Sequence, residues 1–518
     1  MSDEFPDWLD DFEEFDSLDD EYKEKKTDTR KSNPFSSAQI VVLLVLFLFL
    51  CAVCSGVGAV FYLRQNTIPA QAGSGVSTPA TSVAASNANT PQFTPTPAPT
   101  ATSMLPQAKP TAEPSATATY VVSAEFTNKD KIKDILGFVE EWRELSVPQE
   151  IPIVFLTRDQ FSSQWQDEAF DVEILEAVKK QQEFYIVMGL LEPDVDLVQA
   201  AYDSRTDIIL GYYTPDEKIM YVIAESVNMF AQEEMTFAHE YVHALQDAHF
   251  DLSTIYNHNR SGDALLAARS LPEGDARLVE DLFAMQNITS DQLEYTVYRY
   301  LFEDHPELEG VSPALGVFTY FPYTAGEYFA IYLFIEGGFT WDLVNKAYSN
   351  PPVSSEQVMH PEKYLAGDMP IDIPMPDLTH ILGSDWYELD RDVLGEAGFL
   401  VWLYDQIEDE RIVTSVDGWG GDSYSLWVDD NGKRVLVEAS VWETETDATE
   451  FSVAFNQYMD LREGELRTHY AEEGAIFWEH DEDITLLIRS GNKVLIVIAP
   501  NKDILNDIRN QFVDFKQN

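Results

Sequence analysis

Positive charge is scarce in this chain. Against 90 Asp and Glu it has 33 Lys and Arg in 518 residues, a formal net charge of -57. Such a chain repels phosphate backbones, which argues against nucleic acid as a partner. Cysteine is scarcer still: Cys51 and Cys54 are the whole supply, and both lie in an apolar run. That excludes a disulfide framework and a cysteine metal site. No internal repeat is apparent.

The apolar run itself, Ile40–Leu63, has 24 residues and no charge. It is long enough to span a bilayer as a single transmembrane helix. Lys23, Lys25, Lys26, Arg30 and Lys31 precede it and Arg64 follows closely. The positive-inside rule then puts the N-terminus in the cytoplasm and the rest of the chain outside the cell membrane. A cleaved signal peptide fits less well, because the leading segment and the apolar core are both too long.

The flanks of this run differ in composition. Residues 1–39 form an acidic tail punctuated by Phe5, Trp8, Phe12 and Phe15, and read as disordered. Residues 64–119 are rich in Thr, Pro, Ala and Ser and read as an extended disordered stalk.

Folded sequence is expected from residue 120, about 400 residues, enough for two or three domains. In its first part Ile151–Leu156 reads as a strand and Asp171–Gly189 as a helix. Ile208–Tyr213 and Ile219–Ile223 read as a hairpin around Thr214–Glu217. Residues 290–383 read as mostly helical. From 384 the texture changes. Asn431-Gly432 separates two strand-like runs, and Gly491-Asn492 separates two more. Thr446 or Asp447 is expected to cap the helix between the pairs, and a last helix is expected after Pro500-Asn501. This part reads as a small α+β domain, 384–518.

The chemistry concentrates at His239-Glu240-Tyr241-Val242-His243. On a helix, positions i and i+4 share a face, so both imidazoles can reach one metal ion. Glu240 stands where it can take a proton from a water activated by that ion. From Thr236 to Gln246 no other acid or base accompanies the two histidines, in an otherwise acidic chain. Met235, Phe237, Ala238, Val242 and Leu245 supply the apolar positions of a buried helix. Histidines satisfied within a core are the plain alternative.

A catalytic zinc needs a third protein ligand and an open position. Glu273 is one candidate, thirty residues past His243 at the start of a second expected helix. His249 is the other. With Glu273, in Leu271-Pro272-Glu273-Gly274-Asp275-Ala276, the chain resembles the gluzincin (peptidase MA-like) zinc peptidases. In these a helix-borne Glu, often followed by Gly-x-Ala, completes the site. His239, His243 and His249 instead reproduce the histidine spacing of the metzincins, but Gln246 stands where those proteins carry Gly. Glu273 is therefore favoured. Gluzincins often orient the first His with an Asp one turn after the ligand Glu. Here that position is Arg277, leaving Asp275 or Asp247 as stand-ins.

Further stretches carry the resemblance to a group of membrane-anchored bacterial metallopeptidases. They are Leu210-Gly-Tyr-Tyr-Thr-Pro-Asp216, His239 to Leu252, and Pro351 to Tyr364. The likeness covers most of 150–370. It implies an α+β fold: a zincin-like, mostly helical catalytic domain with an N-terminal sheet, 120–383, followed by the small α+β domain. It implies Zn2+ as cofactor, a peptide or protein substrate, and the hairpin before the active helix as the edge strand that binds it. His360 and Tyr323 are candidates for steadying the oxyanion of the tetrahedral intermediate, each also readable as structural. Gly418-Trp-Gly-Gly-Asp422 reads as a tight turn or a binding loop. Two rivals stand beside the peptidase reading: a zincin-like binding or scaffold protein that no longer cuts, and a zinc hydrolase of cell-wall bonds.

Overall fold

The structure is a computed structural model that describes residues 129–515. Within that range 149, 170–171, 200–209, 224–228, 257–259, 290, 293–310, 408–410, 463–467, 473 and 481–482 are not described. The expected tail, transmembrane helix and stalk all lie outside the described residues. Among those described, no helix is long and apolar enough to cross a membrane.

The architecture is α+β. Helix α1 (Lys129–Arg143) leads to β1 (Ile153–Leu156), then α2 (Arg158–Ala169) and α3 (Val172–Met188). Strands β2 (Gly211–Thr214) and β3 (Ile219–Ile223) complete a small sheet of order β1-β3-β2. β1 runs parallel to β3, and β2 runs antiparallel to it. The expected hairpin thus has an extra partner, and β2 has one edge that pairs with no strand of this sheet.

Three long helices follow: α4 (Ala231–Phe250), α5 (Gly262–Asn287) and α6 (Ala314–Glu336). α4 is buried without a break from Phe237 to Asp247, as its lack of surface charge foretold. α5 starts at Ser261, whose hydroxyl accepts from the Ala264 N–H. α5 and α6 cross at their glycines. A Cβ on Gly274 would overlap the Gly326 carbonyl, and one on Gly326 would overlap the Ser270 carbonyl. Backbones touch here because no side chain keeps them apart. Behind the crossing, fully buried Arg143 of α1 donates to Asp275 of α5 at 2.7 and 3.0 Å. Tyr348 donates to the same carboxylate at 2.7 Å.

Short helices α7 (Ser355–Met359) and α8 (Pro361–Ala366) lead to β4 (Trp386–Asp392), α9 (Gly395–Tyr404) and α10 (Arg411–Val416). Then come β5 (Trp419–Asp429), β6 (Arg434–Trp442), α11 (Glu445–Leu461), β7 (Thr468–Glu472) and β8 (Ala475–Glu479). β9 (Ile484–Ser490), β10 (Lys493–Ala499) and α12 (Lys502–Arg509) end the fold. The seven strands form one antiparallel sheet of order β4-β5-β6-β10-β9-β8-β7. β5–β6 turns at Asn431-Gly432 and β9–β10 at Gly491-Asn492, as expected. The cap of α11 is not Thr446 or Asp447 but Thr444, whose hydroxyl accepts from the N–H groups of both. Asp447 returns a bond to the Thr444 N–H at 2.8 Å, a reciprocal box that starts the helix earlier than expected.

The sheet is buried on both faces. One face shares its core with Phe184 and Met188 of α3 and Ala314 and Leu315 of α6. Tyr458 of α11 donates to the Met188 carbonyl at 3.0 Å. The helical part and the sheet part therefore rest on common apolar contacts.

Candidate metal centre

The i, i+4 spacing on α4 brings His239 Nε2 and His243 Nε2 to 3.1 Å. Glu273 Oε2 of α5 lies 3.2 Å from the first and 3.4 Å from the second. All three residues are more than four-fifths covered at their side chains. A tetrahedral ion with bonds of about 2.1 Å sets its ligands about 3.4 Å apart, so the three atoms have the spacing of one face of that polyhedron.

The opposite ring atoms settle what these nitrogens can do. His239 Nδ1 lies 3.0 Å from Glu280 Oε2, and Glu280 is held in turn by Arg277 at 2.8 Å. His243 Nδ1 lies 2.9 Å from Gln246 Oε1, whose own amide donates to the Pro272 carbonyl at 3.0 Å. Both Nδ1 atoms face acceptors, so each carries the proton there and turns a lone pair inward at Nε2. Two lone pairs and a carboxylate oxygen converging within 3.4 Å repel one another unless a cation lies between them. The donor set fits a zinc ion: two imidazoles and one carboxylate, with a position left open.

Without metal, a proton serves as that cation. Burial opposes charge on His239, but hydrogen bonds to Glu273 and Glu280 outweigh it and raise its pKa to about 10. Burial likewise opposes ionised Glu273, yet His243 and His239 hold its carboxyl well below the usual range. A metal bound there would have to displace this proton, so its affinity would rise with pH.

Glu240 lies beside the cluster, 9% exposed. Burial pushes its carboxyl up from the ordinary value, against the pull of His243 and His239. The backbone N–H of Tyr213 donates to it. Ile223 N–H donates to the Leu210 carbonyl at 2.8 Å, so Leu210, Tyr212 and Thr214 bond inward to β3. Gly211 and Tyr213 consequently turn their backbone groups outward, along the edge that faces Glu240. A Cβ on Gly211 would press on Thr236 and Glu240, so glycine lets the strand lie close to α4.

The other expected residues divide. Tyr323 of α6 lies beside His239, its ring tilted 32° with centroids 6.1 Å apart, and is 38% exposed. His249 does not join the cluster: its Nε2 pairs with the Ser146 carbonyl at 2.8 Å. The helix runs unbroken through Gln246 to Phe250, so His249 stays on another face. Gln246, which takes the place of a turning glycine, instead fixes His243. His360 is not at this centre either. Its ring pairs with Glu396 at 2.9 Å, in a loop between α7 and α8.

Neither Asp275 nor Asp247 orients His239. Asp275 belongs to Arg143 and Tyr348, and Asp247 to Tyr213, Lys218 and the Leu252 N–H. Glu280 does so, seven residues beyond Glu273 and so two turns along the same face. That spacing is in the sequence, yet it is one acid among many. Sequence reasoning also missed Tyr256. It is raised well above the ordinary tyrosine value by burial, and further by Glu273, Tyr323 and Glu240, which places it beside the centre. Arg269 lies over its ring at 5.7 Å.

Residues 385–509, which hold the seven-stranded sheet, match a family described as "Domain of unknown function (DUF8575)". No curated protein and no solved structure matches the chain.

Proposed function

We propose that the chain is a zinc-dependent peptidase with a zincin-like catalytic region, held outside the cell membrane by the 40–63 span. The observation that carries this reading is the pair of histidines whose Nδ1 atoms are tied to acceptors, turning both Nε2 atoms toward Glu273. His239, His243 and Glu273 would hold the ion.

A zinc ion held there would supply a Lewis acid and would bring the pKa of an adjacent water toward about 7. The chain's residues do the rest. The outward backbone groups of Gly211 and the outward carbonyl of Tyr213 take an extended peptide as an added strand, which lays its carbonyls along the edge beside Glu240. Glu240 accepts the proton of the attacking water at its carboxylate, then delivers it to the leaving amine. Burial raises the Glu240 carboxyl above its ordinary value, which favours a bound proton there. Tyr323, beside His239, is placed to donate to the oxyanion as it forms.

Glu240→Gln tests this directly. The variant should keep its zinc and lose hydrolysis of a peptide library by at least about a hundredfold. Full activity in a zinc-loaded variant would end the mechanism. A wild-type chain that holds zinc and cuts wall fragments but no peptide would move the reading to a non-peptide bond.

A further inference from the structure

Two sequence features are not used by the metal centre: the Pro351–Tyr364 stretch and the Gly418–Asp422 segment, which leads into β5 and forms its start rather than a separate loop. They meet in the fold. His360, from the first, pairs through Nε2 with Glu396 Oε1 at 2.9 Å and lies 3.8 Å from Asp417 Oδ1, the residue before Gly418. One donor atom from each of the three falls within 4.8 Å of the others. Glu396 sits in the first turn of α9 with its side chain fully buried.

The pairing with His360 leaves something over. Glu396 Oε2 is buried and has no hydrogen-bond partner among the described residues. An ordinary His–Glu ion pair satisfies one oxygen and strands the other, which is unfavourable in a buried site. A cation bound by both oxygens of that carboxylate would remove the cost. The charge balance favours one. Glu362, Glu396 and Asp417 lie within 4.0 Å of His360, and the nearby cation is Lys363. Lys363 is already engaged by Glu356 at 2.7 Å and Glu443 at 3.1 Å.

We propose that His360, Glu396 and Asp417 form a second divalent-cation site, of the zinc class, that clamps the helical part to the sheet part. One imidazole and two carboxylates suit zinc or manganese better than calcium or magnesium, which prefer oxygen alone. His360 is supplied by the helical part. Glu396 and Asp417 come from the region matching the domain family. Water completes the shell on the open side, where Asp417 is 59% exposed. The site is separate from the His239 centre and stands whether or not the peptidase reading does.

The test is zinc stoichiometry of the full chain in detergent, after dialysis, in a Glu273→Gln background that disables the first centre. That background should retain about one zinc per chain and lose it on adding either His360→Gln or Asp417→Asn. Zinc should raise the melting temperature of the background and not of those double variants. Asp417 is exposed, so Asp417→Asn reports on ligation without disturbing the core. A background with no zinc overturns the site, as does zinc kept by both double variants. An ordinary His–Glu ion pair is then the whole of it. Zinc in the wild type that His360→Gln removes, with no peptidase activity, sinks the first proposal and keeps this one.

Discussion

Two regions of this molecule bury acids, and they do it in opposite ways. Around His239, the buried acids Glu273, Glu280 and Asp275 are each matched by histidine or arginine. Glu273 faces two histidines, Glu280 faces His239 and Arg277, and Asp275 faces Arg143. At the junction with the sheet, Asp263, Asp422 and Glu438 are buried with neutral donors or none. Asp263 accepts from the Ser355 N–H. Asp422 accepts from Leu394 N–H, Gly395 N–H and the Trp419 indole. Both oxygens of Glu438 lack a hydrogen-bond partner among the described residues. The first arrangement holds the Glu273 and Glu280 carboxyls below the usual range, and the second pushes its carboxyls above it. Burial pushes Asp422 up to about 7 and raises Asp263 and Glu438 well above the ordinary range. An acidic composition alone does not separate these cases; the partners do.

The sharpest way to break the charged region is steric. Gly274→Val would drive α5 off α6 and carry Glu273 with it. We expect a loss of about 3 kcal/mol or more, read by thermal unfolding, with zinc binding lost. A stable, zinc-loaded variant would show that the crossing does not set the site.

Next in size is the orientation of His239. Glu280→Ala should weaken zinc about 10- to 100-fold by titration, with the fold intact by circular dichroism. Unchanged affinity would mean that Glu280 only pairs Arg277.

The neutral region predicts a pH dependence. A carboxyl whose folded pKa is raised stabilises the protein while protonated and loses that contribution as pH climbs from the unfolded value to the folded one. For Asp422 the window runs from 3.8 to about 7. Thermal stability should therefore fall between pH 4 and pH 8, by a few kcal/mol in order of magnitude. Glu438→Gln removes one such charge and should stabilise the protein at pH 8 more than at pH 5. A flat profile, with no gain at pH 8, would contradict the neutral-cluster account. The smallest effect belongs to His249→Ala, which should leave zinc affinity unchanged because its ring bonds to Ser146.

Much of the charged region was legible because it obeys a helical period. Four residues separate His239 from His243, and that interval alone puts them on one face. Leu271 to Ala276 announced an acid beside a small residue on a second helix, and Gly274 now explains why it is small. The two Asn/Gly turns likewise fix their hairpins locally. His360 was less legible. Its neighbours Glu396 and Asp417 lie 36 and 57 positions on, and no local period links them. Gln246 was read as a missing turn signal, whereas its amide bridges His243 to Pro272. That role needs the position of a second helix.

What the sequence by itself determined was local: the shared face of His239 and His243 on one helix, the early hairpin, and the two Asn/Gly hairpins of the seven-stranded region. These depend on backbone periods of 3.6 and 2 residues, which any reader of the chain can count. What tertiary structure decided was partnership. Glu280 rather than Asp275 orients His239, His360 serves a different cluster, and Glu438 has no hydrogen-bond partner among the described residues. Each depends on distances between elements far apart in the chain, and in a chain with 90 acids no residue type can announce which partner it meets.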